Sequence, residues 1–188
     1  MKYKILITII TGLIFLFFTF PVFSKESGSS AVLSINPRID EKTTKDLEIK
    51  RKTIIIKNVL ERYNSPLVDS ASDFVKTCFK YDLDCYLLPS IAGLESTFGK
   101  FILPSSYNPF GWGGGYIIFS SWSEAIDTVG RGLRENYLDK WHLNTVEAIG
   151  RVYSESPTWA VRVNWFINQF KKEEEKLMLL SLEFPVEL

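Results

Sequence analysis

Between residues 100 and 121 the chain cannot be a helix. Pro104, the pair Asn108-Pro109, Gly111, Gly113, Gly114 and Gly115 all fall in this stretch. Proline removes a backbone donor and glycine raises the entropic cost of order, so neither suits a helix interior. On both sides apolar residues recur at helical spacing. The stretch therefore splits a helical chain in two and sets a glycine-turned segment directly after the helix that precedes it. Gly-Trp-Gly-Gly-Gly-Tyr-Ile-Ile-Phe, 111–119, reads as a small β-hairpin with a glycine turn. The fold class is then α+β: mostly helical, with one hairpin.

The preceding helix carries the main puzzle. Pro89 lies near its start and Gly99 just past its end, the usual asymmetry of helix punctuation. Leu87, Leu88, Ile91, Leu94 and Phe98 form a core-facing stripe. At about 100° per residue, Glu95 falls between Ile91 and Leu88 on the same wheel. A carboxylate there must be paired, strained or used. Apolar surroundings and a helix C-terminus both raise a carboxyl pKa. A carboxyl that keeps its proton near neutral pH can act as a general acid. The competing reading is a buried ion pair with Arg131, Arg134 or Arg162.

Other elements follow from periodicity and caps. Residues 42–62 form a charged helix, with Leu47, Ile54, Ile55, Val59 and Leu60 on its apolar side, ended by Asn64-Ser65-Pro66. A compact domain is expected from 64 to 175. Ser65 and Pro66 open its first helix; Phe74, Val75, Cys78 and Phe79 face inward. After the hairpin, Ser121 or Ser123 caps a helix to about Leu138, with stripe Ala125, Ile126, Val129, Leu133 and Tyr137. Thr145 caps a helix ending near Tyr153, with Ala148 where a capping box has an acid. Pro157 begins the last helix, and Trp159, Trp165 and Val163 are placed in its core. Residues 176–188 read as a tail.

Lys2 and Lys4 precede an apolar run from Ile5 to Phe20, then Pro21 and Val22-Phe23-Ser24. This charged, apolar, small pattern is that of an export signal, so 1–24 is a signal peptide or, through 5–23, a membrane anchor. Residues 25–40 form a polar linker. The remainder is expected outside the cytoplasm, where the two cysteines, Cys78 and Cys85, would be bridged. The formal net charge is zero and there is no basic stripe, so nucleic acid is not an expected partner. His142 is the one histidine, too few ligands for zinc; no metal or organic cofactor is expected.

Leu-Leu-Pro-Ser-Ile-Ala-Gly-Leu-Glu-Ser-Thr-Phe-Gly-Lys, Asn-Pro-Phe-Gly-Trp-Gly, Phe-x-Ser-Trp-x-Glu-Ala-Ile and Ile-Gly-x-x-Tyr follow one another along the chain. In that order they resemble the lysozyme-like superfamily, and within it the bacterial endo-β-N-acetylglucosaminidase (mannosyl-glycoprotein endo-β-N-acetylglucosaminidase-like) family. Lytic transglycosylases are cousins. The resemblance covers roughly 64–172. It implies a lysozyme-like domain that cuts peptidoglycan glycan strands. Glu95 would be its general acid, Ser96 a supporting residue, and Tyr153 a tyrosine facing the acid. Asn108 to Gly111, with Phe110 between and Trp112 following, would shape the sugar-binding floor.

A second carboxylate is harder to find. Two-carboxylate glycosidases hold the pair about 5 to 9 Å apart, yet no acid lies between Glu95 and Glu124. Glu124, Asp127 and Glu155 are candidates, each also a natural cap or surface charge. Without a second acid, the substrate's N-acetyl group or 6-hydroxyl would attack. Trp112, Tyr116 and Trp122 can stack on sugars or pack under the loop. The expected function is hydrolysis of a β-1,4 bond between N-acetylglucosamine and N-acetylmuramic acid, by a monomer. A transglycosylase or muramidase, and a non-catalytic wall-binding domain, are the alternatives.

Overall fold

A computed structural model describes residues 41–183, with side chains to residue 180. The expected signal segment, the linker and the last five residues lie outside the described residues. The elements are α1 (Glu41–Arg62), a 3-10 turn (Val68–Ser70), α2 (Ala71–Tyr81), α3 (Leu87–Ser96), α4 (Trp122–Gly132), α5 (Val146–Tyr153) and α6 (Trp159–Glu183). A π-helical segment, Leu133–Lys140, continues α4. The protein is mostly helical, and no strand occurs among the described residues. None of the described helices is long and apolar enough to cross a membrane.

α3 packs chiefly on α6, α1 on α2 and α6, α2 on α4, and α5 on α6. The core reaches from Ile55, Ile56, Val59 and Leu60 of α1 to Val163, Ile167 and Phe170 of α6, all nearly or fully buried. α1 therefore belongs to the compact unit, which begins before the expected boundary at residue 64. Its inward residue is Ile56, where Ile54 was expected; Ile54 is exposed. Ser65 accepts from the Leu67 N–H at 2.9 Å, but it opens the 3-10 turn rather than a helix. Ser121 caps α4 by accepting from Glu124 N–H, and Thr145 caps α5 by accepting from Ala148 N–H. α6 runs through Glu183, past the tail boundary expected at 176. Cys78 and Cys85 are disulfide-bonded, tying α2 to the turn that enters α3.

The expected hairpin is not formed. Gly113, Gly114 and Gly115 all have positive φ, 63°, 68° and 83°, so the chain coils through successive left-handed turns instead of reversing once. The backbone bond Phe119 N–H to Ser106 carbonyl, 2.8 Å, closes the loop at its base. Inside it, the Asn108 side chain stands where ladder bonds would be. Its Oδ1 accepts from Trp112 N–H at 3.0 Å; its Nδ2 donates to the carbonyls of Trp112 and Ile117 at 2.9 and 3.1 Å. A side-chain amide that bonds three backbone groups replaces a two-strand ladder.

Candidate active site

α3 is buried along nearly its whole length, and Glu95 is its one exposed residue. The helix stops just beyond it. Thr97, Phe98 and Gly99 take left-handed conformations, φ 51°, 58° and 82°. The Phe98 N–H reaches back to the Ala92 carbonyl at 2.9 Å and the Thr97 N–H to the Gly93 carbonyl at 3.1 Å, which satisfies carbonyls at the helix end. Two non-glycine residues in this region cost about 1–3 kcal/mol each. Burial of the Phe98 ring against Tyr63, Phe166 and Phe170 offsets that cost. Glu95 is thereby presented at the end of a rigid central helix.

The carboxyl has a defined wall on each side. Oε1 accepts from the Trp159 indole N–H at 2.7 Å. Oε2 faces Gly111, where an added Cβ would lie 3.5 Å away. Desolvation raises the Glu95 pKa above the ordinary glutamate value. The Trp159 hydrogen bond and the charge of Arg162 pull it back only in part. No arginine forms an ion pair with Glu95 among the described residues. Arg134 pairs with Asp82 and Asp139 instead. An acid raised by burial, reachable from solvent and without an ion-pair partner, can hold and deliver a proton.

Tyr153 lies beside this acid but does not bond to it. Its hydroxyl donates to the Phe110 carbonyl at 2.8 Å, and its ring stacks on Trp159 at 5.0 Å. Burial, then the nearby Glu95 and Tyr137, hold its pKa well above that of a free tyrosine, so it stays a neutral donor. Ser96 is buried. Its hydroxyl lies 2.7 Å from the Pro109 carbonyl and accepts from Gly99 N–H at 2.7 Å. Asn108 and the Phe110 ring are buried as well. These three residues, expected at the substrate, instead brace the loop whose open edge is Gly111 and Trp112. The Ser96 hydroxyl and the Asn108 amide are bonded to backbone groups, and the Phe110 carbonyl to Tyr153.

Trp112 packs against α4 at Gly132, where a Cβ would fall 2.7 Å from its ring. Tyr137, Tyr153 and Trp159 extend the cluster, and Trp141 continues it outward. A cluster of touching aromatic rings thus runs from buried Trp159 beside Glu95, through half-buried Tyr153, Trp112 and Tyr137, to exposed Trp141. Recesses of about 410 and 390 Å³ lie elsewhere, and Glu95 lines neither. Tyr116 is 82% exposed at the loop tip, whereas Trp122 packs with Tyr107 under the loop. Trp165, placed in the core by periodicity, is 52% exposed.

Among the described residues, no second acid stands beside Glu95. Glu124 accepts from the N–H and hydroxyl of Ser120 as a cap. Asp127 is held by Lys80 and Tyr81, and Glu155 lines the recess beside Pro157. Trp159 is the site residue that periodicity concealed, because its stripe position also fits the core. Its indole N–H was the available signal, since a buried indole seeks an acceptor. Tyr137, on the stripe expected for this helix, reaches the site from the π-helical segment and packs on Trp112 and Tyr153. No protein-family model matches the chain, and no curated protein or solved structure matches it.

Proposed function

We propose that the chain is an exported glycan-strand hydrolase of lysozyme-like type, acting on the β-1,4-linked N-acetylglucosamine and N-acetylmuramic acid polymer of peptidoglycan. One observation carries the reading: the single exposed residue of the buried helix α3 is a desolvated carboxyl without an ion-pair partner, at the head of an aromatic cluster. The motif order from Glu95 to Tyr153 supports it, and the disulfide accords with an oxidising compartment. Glu95 gives its proton to the glycosidic oxygen as the bond from that oxygen to the anomeric carbon breaks. The oxygen keeps the bonding electron pair, and Glu95 becomes a carboxylate.

The absence of a second acid beside Glu95, among the described residues, favours attack by the substrate itself. The neighbouring N-acetyl oxygen gives a cyclic intermediate, which water opens while Glu95 takes up the water's proton. Attack by the sugar's 6-hydroxyl instead, with its proton taken up by the Glu95 carboxylate, gives a 1,6-anhydro product. Mass spectrometry of fragments from purified peptidoglycan separates the outcomes. Reducing-end N-acetylglucosamine is expected. Reducing-end N-acetylmuramic acid or an anhydro terminus would reassign the enzyme to a muramidase or a transglycosylase. Binding to wall material without any fragment would make it a wall-binding domain.

A further inference from the structure

We infer that Trp159 is a positioning residue that fixes the acidic proton on Oε2 of Glu95, and that Gly111 keeps the approach to that oxygen open. The inference rests on the general-acid reading above. An indole N–H can donate but never accept. Its bond to Oε1 at 2.7 Å therefore requires Oε1 to be an acceptor in both ionisation states. When Glu95 is protonated, the carbonyl oxygen is the stronger acceptor, so the indole bond favours the proton on the other oxygen. Oε2 is the one that faces Gly111, and the space at 3.5 Å where a side chain would start is vacant of protein atoms of that residue. A sugar oxygen approaching along the loop edge meets the protonated atom.

The indole itself is held in place. Trp159 is buried, stacks on Tyr153, and abuts Gly150, where a Cβ would lie 2.7 Å from its ring. After proton transfer the same N–H, now bonded to a charged acceptor, stabilises the carboxylate. The groups facing the carboxyl are few. Arg162 and Trp159 come from α6 and Tyr153 from α5, with Tyr137 behind it, while the loop from 101 to 121 carries no charged residue.

The test reads the proton directly. In the ¹⁵N-labelled wild-type protein, the Trp159 indole N–H signal is expected to titrate with Glu95, and Glu95→Gln to abolish that titration. In Trp159→Phe the carboxylate loses a donor, so the Glu95 pKa rises. The alkaline limb of glycan cleavage then moves to higher pH, and kcat falls about 10- to 100-fold, the loss typical of one hydrogen bond to a charged group. Gly111→Ala, which also strains a backbone at φ 62°, is expected to lower cleavage while the indole signal still titrates and the melting temperature falls only slightly; a titrating, folded variant that cleaves like wild type overturns the role of Gly111. An indole signal flat across the Glu95 titration, in a protein that does cleave glycan, overturns this inference alone. So does a Trp159→Phe variant whose limb stays in place. Absence of cleavage by the wild type overturns the general-acid function instead.

Discussion

At the scale of single residues, Glu95 separates catalysis from stability. Its carboxyl pKa is raised in the folded chain, chiefly by desolvation. A carboxyl raised on folding favours the native state when protonated, and loses that contribution as pH rises through the folded pKa. Glu95→Gln keeps the shape and removes the charge. The variant should lose wall cleavage by about 10²–10⁴, with a melting temperature at pH 7 equal to or above that of wild type. Any gain should vanish below the ordinary glutamate pKa, where wild type is also neutral. Turbidity loss of wall suspensions and thermal melts at the two pH values check both parts. Retained cleavage with a lowered melting temperature would return Glu95 to a structural role.

At the scale of elements, the loop from 97 to 121 is held by side chains rather than by a ladder. Ser96 links the end of α3 to the loop through Gly99 N–H and the Pro109 carbonyl. Ser96→Ala orphans buried partners and should cost about 1–3 kcal/mol for each group left unpaired. Urea unfolding measures the cost, and faster proteolysis near Gly113 should accompany it. The disulfide acts at the other end of α3. It closes a short loop, with a sequence separation of 7. Chain entropy puts its contribution at about 2–3 kcal/mol. Unfolding of Cys78→Ser/Cys85→Ser should differ from wild type by that amount, and reductant should remove the difference.

At the scale of the whole molecule, the long helices α1 and α6 are joined by charge. Lys52 and the Tyr86 hydroxyl both bond Glu174, at 3.0 and 2.9 Å. Burial works against the Glu174 charge, but these bonds and Arg51 outweigh it, and its pKa lies below the ordinary value. Such a group contributes stability above its unfolded pKa and loses it as pH falls through the folded one. Glu174→Gln should lower the melting temperature at pH 7. Its difference from wild type should narrow below about pH 4, where the unfolded glutamate protonates. A difference that stays constant with pH would show that the loss is one of packing.

The sequence by itself determined most of the helices, the cap at Thr145, a cap at Ser121 or Ser123, the cysteine bridge and the prominence of Glu95. Each depends on neighbours within one or two turns, where 3.6-residue periodicity and cap chemistry act directly. The tertiary structure alone decided three things. It turned the expected hairpin into a coiled loop, because the Asn108 amide took the bonds that a second strand would have made. It moved α1 into the core and left Trp165 outside, since a helix's burial depends on which neighbours cover it. And it brought Trp159, 64 residues along the chain, to the carboxyl of Glu95. No local pattern records that contact, because it exists only where α3 and α6 cross.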